Sequence, residues 1–296
     1  MPNIVVRHPL PPYYDLAWTC QMHGWRHLAP FTWSEADDSL SLALWVDGTA
    51  IDIGARQERE ALVTTIGSDR PLRARALRTV TGAIRRSLGL EVDTTHLQHV
   101  AAKAGPRYAA LVRQGAGRLL RCPTVWEDAA KTLFTTNCSW ALTEKVCRAI
   151  CSPRFVPASP AGVYPFPPPE VFAHASPDAL RGVMPIGYRA PSLIALARRC
   201  VADPGLGGIE EGGVSLEAAT QLVSQMTGFG PYATCHLLVL AGHFGEIPFD
   251  SVVAAYVAQH FRTRNPRRFL ARRYQGWGSD RWWGMKLEQI LRRRDE

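Results

Sequence analysis

Up to about residue 66 the apolar positions alternate with polar ones or run in short blocks, and this period-two pattern predicts strands. Residues 33–34, 40–46 and 50–53 are the clearest of these, with Trp33 and Trp45 placed as core aromatics. Asp47-Gly48 falls between the last two and is the pair that a tight two-residue hairpin favours. Residues 1–70 are therefore read as an antiparallel β-sheet domain. From about residue 72 the repeat lengthens to that of a helix. Leu77, Val80, Ile84 and Leu88 form one apolar stripe, and Arg78, Arg85 and Arg86 lie off it. Helices are also predicted over 93–104, 107–114, 125–134 and 140–150, with 125–134 capped by Thr124. The Pro-rich stretch 152–170 is too stiff for a helix and reads as a connecting loop. A short helix over 176–182 follows it.

The most informative pattern lies at 215–253. Leu216, Ala219, Leu222, Val223 and Met226 make a helical stripe that ends at Thr227-Gly228-Phe229-Gly230. Pro231 suits the first turn of a second helix, whose Ala233, Leu237 and Leu240 lie on one side. This is a helix-hairpin-helix. Glycines let backbone approach a ligand closely, and the first amides of the second helix have no partner within it. Such a turn suits a phosphate and grips a nucleic-acid backbone without reading its sequence. An ordinary pair of antiparallel helices joined by a Gly-containing turn has the same pattern. Asp250 then opens a third helix after Ile247-Pro248-Phe249. Alone, it reads as an N-cap.

The whole chain of 296 residues is 46% hydrophobic and 20% charged, which fits a folded protein of two or three modules. Its net charge of +8 and its arginines at 262, 264, 267, 268, 272, 273 and 292–294 favour a polyanionic partner. The seven cysteines, at 20, 122, 138, 147, 151, 200 and 235, form no CxxC and read as reduced thiols. His96 and His99 have no nearby sequence partner to complete a metal site. No metal or other cofactor is expected. With no signal peptide or membrane-length apolar run, an intracellular monomer is expected, cytoplasmic and nucleoid-associated if bacterial.

Gly228, Gly230, Pro231 and Asp250 resemble the motif of the helix-hairpin-helix/Gly-Pro-Asp (HhH-GPD) superfamily of DNA base-excision glycosylases. The pattern is closest to its 8-oxoguanine and 3-methyladenine branch, and the likeness spans roughly residues 117–257. It implies an α+β fold: an N-terminal antiparallel β-sheet domain, then a mostly α-helical HhH-GPD glycosylase body over 71–296 with the hairpin at 216–241. Asn137, in the polar joint Thr135-Thr136-Asn137-Cys138-Ser139, matches the residue that fills the gap left by an extruded base. Tyr188 and Arg189, in Gly187-Tyr188-Arg189-Ala190, match a wedge and a ligand of the orphaned base. Some relatives hold an iron–sulfur cluster on cysteines after the catalytic aspartate; this chain has no cysteine after Cys235 and is expected to lack it.

The resemblance implies double-stranded DNA with a modified base as partner, contacted by Asn137, Tyr188, Arg189 and the hairpin residues Thr227, Gly228, Phe229 and Gly230. Asp250 is the implied catalytic carboxylate, able to stabilise positive charge on the sugar and to activate water. Bifunctional relatives carry a nucleophilic lysine where this chain has Tyr232, which cannot form a Schiff base, so a monofunctional glycosylase is expected. Tyr232 and His236, one turn apart, are expected at the base pocket. Leu142 replaces an arginine that reads the opposite cytosine, and Cys20 or a neighbour replaces a glycine at the lesion. Both departures weaken 8-oxoguanine opposite cytosine as the target. An alkylated base, already cationic, would suit an aromatic pocket drawing on Trp25, Trp277, Trp282 or Trp283. A non-catalytic DNA-binding scaffold and a bifunctional lyase using another amine are the alternatives.

Overall fold

In the computed structural model, which describes residues 3–210 and 212–295, the alternating N-terminal segments become five strands. They are β1 (Ile4–Pro9), β2 (Thr32–Ser34), β3 (Ser39–Val46), β4 (Thr49–Gln57) and β5 (Ala61–Ser68). All neighbours pair antiparallel, in the order β1-β5-β4-β3-β2. Asp47 and Gly48 close the β3–β4 hairpin with φ of 48° and 77°, the two left-handed residues that match the twist of paired strands. Leu40, Leu42, Leu44, Ile51, Ile53, Leu62 and Ile66 are buried, whereas Trp33 and Trp45 are only half-buried.

Fourteen helices are found among the described residues. The first, α1 (Leu16–Gln21), interrupts the region expected to be all strand. It forms because Asp15 caps it, accepting from Trp18 N at 2.7 Å, a local signal that hydrophobic alternation does not carry. Next come α2 (Ala74–Ser87), α3 (Thr95–Ala104), α4 (Pro106–Arg113), α5 (Val125–Phe134) and α6 (Trp140–Ile150). The middle of the chain adds α7 (Glu170–Ala173), α8 (Pro177–Val183) and α9 (Ala190–Ala202). The last third holds α10 (Leu216–Ser224), α11 (Pro231–Leu240), α12 (Ser251–His260), α13 (Pro266–Arg273) and α14 (Arg281–Asp295). None is long and apolar enough to cross a membrane.

Contacts group the chain into two units, residues 1–92 with 118–204, and residues 93–117 with 205–296. In the first unit α5 is buried at every position. Its two charged turns survive burial because Lys131 Nζ lies 2.7 Å from Glu127, while Asp128 accepts from Trp25 Nε1, Cys122 N and Arg86 Nη1. Thr124 caps the helix, accepting from Glu127 N at 3.2 Å. The Pro-rich loop is tied down by Trp126, which donates to Pro167 O at 2.9 Å, and by Asp52, which accepts from Ser159 Oγ and Ala161 N.

In the second unit Glu288 of α14 is the hub. It accepts from Arg273, Tyr274 and Arg292 at 2.6–3.0 Å. His96, which the sequence leaves without a partner, lies 2.6 Å from the Asp280 carboxylate, a pairing across 184 positions. Among the described residues no cluster of three or more His, Cys, Asp or Glu side chains is placed to hold a metal ion.

Candidate active site

The residues singled out in the sequence fall into two groups, one in each unit. In the first unit, the joint between α5 and α6 turns through Asn137, whose φ of 47° is the left-handed conformation asparagine tolerates. Its side chain is exposed, and Nδ2 donates to the Tyr188 hydroxyl at 3.4 Å. Tyr188 leads the short turn into α9 and leaves 63% of its surface exposed, far more than an aromatic side chain usually leaves. Arg189 beside it is different. It is 5% exposed, stacks its guanidinium 4.6 Å from the Tyr188 ring and bonds Thr136 through Nε and Nη2. Those donors hold the joint together. Thr136 is the anchor, and nothing in the sequence marked it.

In the second unit, α10 and α11 flank the hairpin. Gly228 has a φ of 90°, which an L side chain rarely adopts, so glycine is needed there. Gly230 does not need it on that ground: its φ is −73°, and a Cβ added there would meet nothing within 4 Å. It is the N-cap of α11 and supplies no side-chain cap, so the first amides of that helix are not covered from that side. Thr227, Gly228 and Gly230 are exposed. Phe229 is not: only 4% exposed, it fills the space under the turn, its amide bonds Met226 O and its carbonyl accepts from Thr234. Burial of that aromatic ring is what holds so short a hairpin.

Tyr232 and His236 share a face of α11 as their spacing requires, with the Tyr232 hydroxyl 3.2 Å from His236 Nδ1. His236 is buried and Tyr232 half-buried. Asp250 caps α12, its Oδ1 accepting from Val253 N at 2.8 Å. Its other oxygen has no hydrogen-bond partner among the described residues, and the side chain is half-buried beside exposed Val252. Just before it, Phe249 lies under the Arg267 guanidinium at 4.6 Å. On α13 and the loop before it, a cleft of ≈ 590 Å³ is lined by Thr263, Asn265, Arg268, Phe269, Arg272 and Arg273. Arg268 and Arg272 have no carboxylate partner among the described residues, which leaves two positive charges for an anion.

The tryptophans expected around a base are core residues instead: Trp25, Trp277, Trp282 and Trp283 are 1–7% exposed. Cys20 is fully buried, and burial pushes its thiol well above the usual range. All seven cysteines are free thiols.

No protein-family model and no curated protein matches this sequence. Solved structures do match in fold. A 3-methyladenine DNA glycosylase from Archaeoglobus fulgidus superposes with a TM-score of 0.71 at 19% identity, covering 95% of this chain and 97% of that one. An 8-oxoguanine glycosylase/lyase from Clostridium acetobutylicum, in complex with double-stranded DNA containing cytosine opposite 8-oxoguanine, gives 0.64 at 12% identity, covering 99% and 96%. Its apo form gives 0.65 at 12%. The chain therefore has the DNA-glycosylase fold over nearly its full length, a five-stranded antiparallel sheet followed by a mostly helical body.

Proposed function

We propose that this protein is a monofunctional DNA N-glycosylase of base-excision repair, acting on an alkylated or oxidised purine in duplex DNA. One observation carries the reading: Asp250 caps its helix with one carboxylate oxygen and leaves the other without a hydrogen-bond partner among the described residues, one loop beyond the hairpin. That oxygen is open to a ligand while the first keeps the helix capped. Near-complete coverage of two solved DNA glycosylases supports the same class.

The chemistry follows from the residues. A base inside a duplex is out of reach, so the nucleotide must be extruded and the energetic cost of unstacking met by contacts to the duplex. In this reading exposed Asn137 and Tyr188 fill the vacated stack, with Arg189 bracing both through Thr136. The amides at the start of α11 and the arginines of α13 take phosphates. As the N-glycosidic bond breaks, positive charge grows on the sugar, and Asp250 both stabilises it and accepts a proton from the attacking water. Tyr232 and His236 line the base pocket in this reading.

The direct test is a panel of duplexes, each with one modified base, scored for base release and for strand scission with and without alkali. Release followed by scission only in alkali is the expected result. Borohydride should trap no protein–DNA adduct with the wild type, whereas Tyr232→Lys, which places an amine at the start of α11, should become trappable. An adduct with the wild type would overturn the monofunctional assignment.

Gly230→Ala tests the phosphate grip apart from the chemistry. The added methyl has room and its φ is ordinary, so the fold should stand. Affinity for duplex DNA should nevertheless fall by about five- to tenfold on any sequence, because the methyl obstructs a backbone-to-phosphate contact. Unchanged affinity at moderate salt would remove the hairpin from the interface.

A further inference from the structure

Eight of the nine tryptophans are buried or half-buried; Trp140 is the exception, with 42% of its surface exposed. An indole offers the largest apolar area of any side chain, so its exposure is informative. Its position is not loose. Trp140 is the first residue of α6, which Ser139 caps by accepting from Leu142 N at 3.3 Å. The far edge of the ring lies over Gly24, so closely that a Cβ added there would stand 2.7 Å from Trp140 Cη2. Gly24 is held in turn by its neighbour Trp25, which is 1% exposed and donates to Asp128 at 2.8 Å. The indole therefore rests on fixed backbone and leaves much of its ring open to solvent.

The joint that places Trp140 also carries Asn137 and Tyr188. Asn137 stands three residues before Trp140, which bounds their Cα separation at about 11 Å, or roughly three base steps along one strand. Asn137 Nδ2 donates to the hydroxyl of exposed Tyr188 at 3.4 Å. The exposed side chains here, Asn137, Ser139, Trp140, Ala141 and Tyr188, include no carboxylate, so none of them repels a polyanion. Two aromatic rings and an amide suit unstacked bases, because a ring stacks on any base and an amide can bond to a base edge.

We propose that Trp140 is a further DNA-positioning residue, stacking on a base that borders the gap left by the extruded nucleotide. This rests on the glycosylase reading above, in which Asn137 and Tyr188 fill that gap, and it gives the gap a second aromatic wall. Gly24 belongs to the same arrangement, since its missing side chain makes the seat from which the ring meets the duplex. Stacking on a bordering base offsets part of the unstacking that extrusion requires. Trp140 therefore matters more for a duplex with a gap than for an intact one.

The experiment measures affinity by fluorescence anisotropy for a labelled duplex carrying one abasic-site analogue and for the same duplex intact. The ratio of the two affinities is taken within each protein, so an inactive fraction of a poorly folded variant cancels. Trp140→Ala should weaken binding to the gapped duplex by about tenfold and to the intact one by less than about threefold. Trp140→Phe, which keeps a ring, should retain most of the gapped affinity. Gly24→Ala puts a methyl into the seat at an ordinary φ; it should weaken gapped binding by itself and add nothing to Trp140→Ala. The gapped duplex should also quench tryptophan emission more in the wild type than in Trp140→Phe, because the other eight rings are shielded. A gapped affinity that Trp140→Ala leaves unchanged overturns the inference, and so does an equal loss on both duplexes. Either result leaves the glycosylase reading standing, which base release from the panel of modified duplexes tests separately.

Discussion

Asp250→Asn should abolish most base release while leaving the fold intact. Asparagine caps a helix about as well as aspartate, so its side-chain oxygen can still accept from Val253 N. Stability should change by less than about 1 kcal/mol. What disappears is the negative charge that faces the developing cation on the sugar and the base that takes the water's proton. Removing either contribution from a general base or an electrostatic stabiliser typically costs about 10²–10⁴ in rate. Single-turnover release, alongside thermal unfolding of the same preparation, separates the two effects. Asp250→Ala gives the contrast: it should lose the activity and also about 1 kcal/mol of stability, because the cap goes too. Base release by Asp250→Asn at the wild-type rate would leave the carboxylate a cap and nothing more.

The second large effect is structural and lies in the other unit. Asp128→Ala should destabilise the protein by about 3–5 kcal/mol. The Asp128 side chain has no exposed surface and serves three donors: Trp25 Nε1 at 2.8 Å, Cys122 N at 2.9 Å and Arg86 Nη1 at 2.9 Å. Truncation strands an indole N–H, a backbone amide and a guanidinium around a cavity that water cannot fully serve. These donors come from the turn before β2, from the segment leading into α5 and from α2, so one carboxylate joins three parts of the first unit. Asp128→Asn keeps the volume and an acceptor and should lose less than Asp128→Ala. Urea unfolding followed by tryptophan fluorescence measures the difference, and a loss below about 1 kcal/mol for Asp128→Ala would contradict the network's importance.

Most of the elements were legible because each obeys a local rule. The limits of α5 and α6 follow from apolar periodicity, with Thr124 as the cap of α5. The β3–β4 hairpin follows from Asp47-Gly48, and the start of α11 from Pro231. Where a second local signal overrode the pattern, the reading slipped: Asp15 nucleates α1 inside a stretch whose alternation reads as strand. Exposure was the other weak point. Phe229 and Arg189 are both buried, one under its turn and the other against Thr136, and no local rule marks either.

By itself, then, the sequence determined the sheet, the succession of helices, the left-handed glycine of the hairpin and the carboxylate at the start of α12. All of these depend on neighbours a few residues away, where backbone sterics and capping decide. Only the tertiary structure decided what depends on distant partners: the pairing of His96 with Asp280, and the convergence of Asn137, Tyr188 and Arg189 on one joint. A side chain's charge environment is the sum over residues brought close by packing. No period or spacing along the chain encodes that sum, and so the Glu288 hub and the buried Asp128 network appeared only once their helices were packed.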